Sequence, residues 1–136
     1  VSEPRLVGVS AADLDAWLPR IAGHLARIAA STHGAYWAAD LVAEIRSRDL
    51  QLWTVQNRDD LLAVFLTRIV QYPRLSALQM VGCVGRDWRG WAHLLADVER
   101  FAIGKGCRRA EPIAPRKWRH LFRDYRETHV VFEKDL

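Results

Sequence analysis

Residues 81–91 read VGCVG followed by RDWRGW, and a long amphipathic helical pattern begins there at once. An apolar run that stops in glycine and feeds a helix start is a strand-to-helix junction. Such a junction is a common way to hold a phosphate, because free backbone amides and a close backbone approach coincide there. If it does so here, the chain binds a phosphorylated cofactor.

The periodicity on either side sets the order of elements. RLVGV (5–9) is a short strand, and Ser10 begins Ser-Ala-Ala-Asp, a capping-box pattern in which the Ser10 oxygen accepts from the amide three residues on. Leu14, Trp17, Leu18, Ile21, Leu25 and Ile28 recur at helical spacing up to Ser31-Thr32-His33-Gly34. Pro19 either kinks that helix or opens a second segment. A second helix spans about 38–48, with Leu41, Val42 and Ile45 inward. The period then drops to two. Leu50–Gln56, Leu61–Val70 and Leu75–Val84 are separated by Asn57-Arg58-Asp59-Asp60 and Tyr72-Pro73-Arg74, which makes an antiparallel meander of three strands. Trp88, Trp91, Leu94, Leu95, Val98, Phe101 and Ala102 then form one stripe of a helix ending at Gly104 and Gly106. Cys107–Ile113 is a strand. Pro115 opens a short helix carrying Trp118, Leu121 and Phe122, and Thr128–Phe132 is a last strand.

The order β-α-α-β-β-β-α-β-α-β predicts an α+β protein, with one mixed central sheet of about six strands and helices on both faces. At 136 residues it reads as one domain, 1–136, long enough for a proper core. No stretch is long and apolar enough to span a membrane, and the N-terminus lacks the layout of a secretory signal. Cys83 and Cys107 read as free thiols in a reducing cytosol, and no Cys/His spacing suggests a metal site. Net charge is +4 at pH 7, yet residues 86–126 alone carry +6. That segment favours an anionic partner or is simply a solvated face. Its tryptophans invite a nucleic-acid stacking reading. Trp91 shares the apolar helical stripe, however, and reads as core, so nucleic acid is set aside. His93, His120 and His129 are read as solvated or helical histidines without metal partners.

Three further groups of residues carry a resemblance. Ser31-Thr32-His33-Gly34-Ala35-Tyr36 is followed by Asp40-Leu41 and by Arg48-Asp49-Leu50-Gln51-Leu52-Trp53. Trp91 is followed by Glu99-Arg100-Phe101-Ala102 and Gly106-Cys107. Near the end come Trp118-Arg119-His120-Leu121-Phe122, Tyr125-Arg126-Glu127-Thr128-His129 and Glu133-Lys134-Asp135-Leu136. With a helix leaving directly from the fourth strand, the chain resembles the GCN5-related N-acetyltransferase (GNAT) superfamily, and its phage and prophage members in particular. Two departures stand out. The superfamily has Arg/Gln-x-x-Gly-x-Gly/Ala after strand four, whereas this chain has Arg86-Asp87-Trp88-Arg89-Gly90-Trp91, with Arg89 where the first glycine belongs. The phage-type Gly-Arg-x-Gly-Trp before the last helix is here Ala114-Pro115-Arg116-Lys117-Trp118.

The resemblance implies an acetyl-CoA-dependent N-acyltransferase that acylates a small-molecule or protein amine without a metal. Acyl transfer needs alignment, a base, donors for the carbonyl oxygen and an acid for the departing thiolate. By analogy, strands four and five splay apart around the pantetheine. Val81, Cys83 and Val84 would lie along it. Gly85, Arg86, Trp88, Arg89 and Gly90 would lie at the pyrophosphate. Tyr125 would protonate the thiolate, and Glu111 would be the base. The phage-type resemblance places the protein in a bacterial host cytoplasm or in a virion. The basic segment and a C-terminal strand ending free at Leu136 leave room for edge pairing in a homodimer. The altered glycine motifs keep a rival open: a non-enzymatic assembly protein of a phage particle that retains the fold.

Overall fold

The computed structural model describes residues 3–136. The elements are β1 Arg5–Val9, α1 Leu14–Ala30, α2 Ala38–Arg46, β2 Gln51–Asn57, β3 Asp60–Gln71, β4 Ser76–Gly85, α3 Trp88–Trp91, α4 Leu95–Gly104 and β5 Cys107–Ala110. Short 3-10 segments cover Ala11–Asp13, Ala92–Leu94 and Arg116–Leu121. The strands form one mixed sheet in the order β1-β2-β3-β4-β5. Its first three pairings are antiparallel, and β4–β5 is parallel.

The predicted meander forms because every strand in it is apolar on both faces. In β2 five consecutive residues are buried, which only a sheet covered on both sides can provide. On one face α1 and α2 set Leu14, Ile21, Leu25, Ile28, Leu41 and Ile45 against Leu52, Val64 and Leu66. On the other, Trp53, Phe65, Met80, Trp91, Val98 and Ala102 form a second core. Its centre is aromatic. Phe65 stacks between Trp53 and Trp91, with ring centroids 6.1 and 6.5 Å apart, and Phe101 meets Trp53 edge-on at 5.1 Å. The Trp53 indole N–H is satisfied inside this core by Thr67 Oγ1 at 2.9 Å, and Thr67 in turn donates to Gln51 Oε1.

Five sequence expectations are corrected. Ser10 makes no side-chain cap; its hydroxyl donates to the Asp13 carboxylate, and its carbonyl receives the Asp13 amide. Pro19 neither ends nor divides α1, which runs unbroken through it. The helix expected over 88–103 is split by a 3-10 turn at Ala92–Leu94. The final helix is 3-10 throughout, and Thr128–Phe132 is not a strand, so the sheet has five strands rather than about six. Val130, Val131 and Phe132 are 62, 77 and 92 % exposed. Strand propensity goes unrewarded where no neighbouring strand and no packed face receives the side chains.

Candidate functional site

The site is made by the way β4 leaves β5. Their parallel pairing runs from Ser76–Cys107 to Leu78–Ala110. It continues through two more bonds, Glu111 N–H to Leu78 O at 2.7 Å and Ile113 N–H to Met80 O at 3.3 Å. There it stops. On the β3 side β4 stays paired out to Gly85, but its register slips between Leu66–Gly82 and Thr67–Met80, which leaves Val81 without a partner. An unpaired extra residue bends and twists its strand. Pro112 and Pro115 meanwhile remove donors from the segment after β5. Among the described residues, no backbone bond joins Val81–Gly85 to the segment beyond Ile113. Half of β4 therefore presents an open edge.

Beside this parting lies a cavity of about 350 Å³, between residues 88–99 and the C-terminal segment 120–125. A smaller apolar recess sits where the strands separate, lined by Leu78, Met80, Ala110, Pro112 and Phe122 among others. Glu99 and Tyr125 line both spaces. The Trp88 ring stacks on His120 at 5.5 Å, and the Arg89 guanidinium lies 5.2 Å from the Trp88 ring centre. Arg89, His93, His120 and Arg123 all line the cavity. Among the described residues, none of them is in an ion pair. Two arginines and an aromatic ring thus share this wall, groups suited to phosphate and to a planar ring; Glu99 and Asp124 line the same cavity.

The predicted site residues divide between this cavity and the sheet. Trp88, Arg89 and Tyr125 line the cavity. Val81 and Val84 turn toward the α1–α2 core, and Cys83 toward the aromatic core. Burial pushes the Cys83 thiol up to about 12, so these three residues offer backbone rather than side-chain chemistry. Arg86 is exposed and pairs with Asp87 at 3.2 Å. Gly85 is closely packed: a Cβ there would lie 2.6 Å from Ala63 Cβ and 3.0 Å from Leu62 O. Gly90 has open space around it. Trp91, at the last glycine position of the superfamily motif, is 1 % exposed and donates its indole N–H to Arg86 O at 2.8 Å. It ties the turn from inside. Glu111 lines neither space; it accepts from Tyr72 Oη at 2.9 Å and pairs with Arg109 at 3.4 Å.

Tyr125 donates to Glu99 Oε2 at 2.5 Å. Burial and the Glu99 carboxylate raise its pKa above the ordinary phenol value. Glu99, His120 and Arg123 were not singled out as site residues from the sequence. Glu99 stands one helical turn beyond Leu95, but nothing local shows that this side of α4 meets the C-terminal segment. Among the described residues, no group of His, Cys, Asp and Glu could hold a metal ion, and no helix is long and apolar enough to cross a membrane.

At the sequence level, no family model and no curated protein matches this chain. Solved structures match along almost all of it. An aminoglycoside acetyltransferase from an uncultured soil metagenomic sample, in complex with sisomicin, superposes with a TM-score of 0.68 at 11 % identity, covering 98 % of this chain and 96 % of that one. A GCN5-related N-acetyltransferase from Ralstonia eutropha gives 0.68 at 13 %, over 98 % of both chains. A ribosomal-protein-alanine N-acetyltransferase from Brucella melitensis gives 0.60 at 15 %, over 96 % of this chain and 99 % of that one. The fold is GNAT-like: a mixed five-stranded sheet flanked by helices.

Proposed function

We propose that this chain is an acetyl-CoA-dependent N-acyltransferase whose coenzyme lies in the parting of β4 and β5. The observation that carries this reading is the open edge of β4 beside a cavity lined by Trp88, Arg89 and Arg123. The residues present fit the coenzyme. The free backbone of Val81, Cys83 and Val84 suits the amides of a pantetheine arm. Arg89, His120 and Arg123 suit its phosphates, with Arg86 and Trp88 beside them and Gly90 leaving room. When bound, acetyl-CoA supplies an acetyl thioester open to attack by an amine. Tyr125 and Glu99, rather than Glu111, are titratable groups at the parting. The preferred acceptor is a small amine, and aminoglycosides are the first to try, because one fold relative was solved with sisomicin.

Phosphate recognition differs here from a glycine loop. α3 has four residues before the 3-10 turn, so few aligned peptide dipoles stand behind its first amides. Side-chain cations take over that role. In a thermal-shift titration, acetyl-CoA at about 100 times its Kd should add about 2.7 kcal/mol of stability. That corresponds to several degrees in Tm for a chain of this size. The double change Arg89→Ala and Arg123→Ala should remove most of the shift. No shift of the unaltered protein at millimolar acetyl-CoA would overturn the reading.

A second reading is favoured by the packed Gly85 and by Trp91 inside the turn: a phage- or prophage-derived assembly protein that keeps the fold. It predicts stable association with virion proteins and no response to acetyl-CoA.

A further inference from the structure

We propose that Glu99 is a positioning residue for Tyr125 and that the two side chains form one proton relay at the mouth of the strand parting. The relay's role in catalysis rests on the acyl-transfer reading above; the relay itself does not. Phe122 holds the Tyr125 ring. Its backbone N–H donates to Phe122 O at 3.0 Å, and its ring packs edge-on against Phe122 at 5.4 Å. Glu99 decides the proton instead. A phenol has one hydrogen to donate, and here it goes to Glu99 Oε2. What the oxygen then offers the cavity is a lone pair, so with Glu99 ionised Tyr125 receives a hydrogen bond there rather than giving one.

This reverses the direction expected of a lone tyrosine. A phenol of ordinary pKa, about 10, can lend a proton at neutral pH but has no capacity to accept one. With a carboxylate behind it, acceptance becomes possible, by the same logic that lets a third group orient a base. A proton leaving an ammonium group in the cavity bonds to Tyr125 Oη as the phenolic proton passes to the ionised Glu99 Oε2. The products are a neutral amine, a neutral phenol and a neutral carboxylic acid. The reverse passage returns the proton to the site, and no electrons change hands. The other charged groups around the pair are Arg89 and His93 from the segment after β4, and His120, Arg123 and Asp124 from the C-terminal segment.

Tyrosine labelled with 13C at Cζ reports this coupling in the free protein. Tyr36, Tyr72 and Tyr125 give three signals, and Tyr125→Phe assigns the third. On acidification through the carboxylate range, the Tyr125 signal should shift in the unaltered protein and stay fixed in Glu99→Gln. The Tyr72 signal, coupled to Glu111, should move in both. A Tyr125 signal that is flat in the unaltered protein, or that still titrates in Glu99→Gln, overturns the relay. In acetyl transfer, Glu99→Gln and Tyr125→Phe should each lower kcat by about 10²-fold with KM held. The double variant should fall no further than the lower single; a multiplicative loss counts against one relay. Absence of any acetyl-CoA binding would remove the acyl-transfer reading and leave the NMR result to decide the relay alone.

Discussion

At the scale of single residues, the glycines of the strand-to-helix junction separate into two kinds. Gly82 has no room for a side chain, because a Cβ would come within 2.4 Å of Ile28 Cγ2 on α1. Gly85 is equally confined by Ala63 and by the Leu62 carbonyl across the β3–β4 pairing. Gly90 faces open space. Gly85→Ala should therefore cost about 1–3 kcal/mol through overpacking, read as a lower denaturation midpoint. Gly90→Ala should be neutral or raise stability by up to about 1 kcal/mol, since Ala is the better helix former. If Gly90→Ala weakens acetyl-CoA binding without lowering stability, its missing side chain serves the ligand. A stable Gly85→Ala protein would mean that the sheet yields there. The glycines were plain in the sequence. The reason for Gly85 was not, because Ala63 and Leu62 come from another strand.

At the scale of elements, periodicity placed α1, α2 and the meander to within a residue or two, but it could not see where regular bonding breaks. Trp88, Trp91, Leu94, Leu95 and Val98 keep one helical stripe, yet a 3-10 turn interrupts it. Trp91 is held inward by Phe65 and by the Arg86 carbonyl, and the chain tightens to keep it there. Pro19 shows the opposite case. It lies well inside α1, is exposed, and is tolerated without a break, because the buried stripe of Leu14, Ile21, Leu25 and Ile28 holds both sides of the helix to the sheet. Proline still lacks the amide that a helix interior uses. Pro19→Ala should thus stabilise the protein by up to about 3 kcal/mol, measured by urea denaturation. A destabilised variant would show that α1 depends on proline's restriction of the unfolded chain.

At the scale of the whole molecule, the sheet ends at β5, and the C-terminal segment 123–136 lies outside regular structure. Its contact with the loop after α1, Glu133 Oε1 with His33 Nδ1 at 2.7 Å, is between solvent-exposed side chains. Such a pair contributes about 0–1 kcal/mol. Removing residues 130–136 should therefore lower stability by no more than about 1 kcal/mol and leave the acetyl-CoA response intact. A larger loss would mean that Val130, Val131 and Phe132 are packed in solution. The residues that build the site, by contrast, come from every part of the second half: Met80 from β4, Arg89 from α3, Glu99 from α4, Ala110 from β5 and Tyr125 beyond it.

That spread marks the division between what could be read and what had to be folded. The sequence by itself determined the order of elements up to β5, the antiparallel meander, the strand-to-helix junction and the core role of Trp91, since each follows from the spacing of apolar residues along one segment. It also offered Tyr125 and Arg89 through the resemblance to the GNAT superfamily. Only the tertiary structure decided that β4 bulges at Val81 and leaves β5 at Met80, that Gly85 is taken up by packing, that Glu111 is held by Tyr72 and Arg109, and that Glu99 accepts the Tyr125 hydrogen bond. Those outcomes depend on which strand or helix lies across the gap, and local periodicity carries no record of that neighbour.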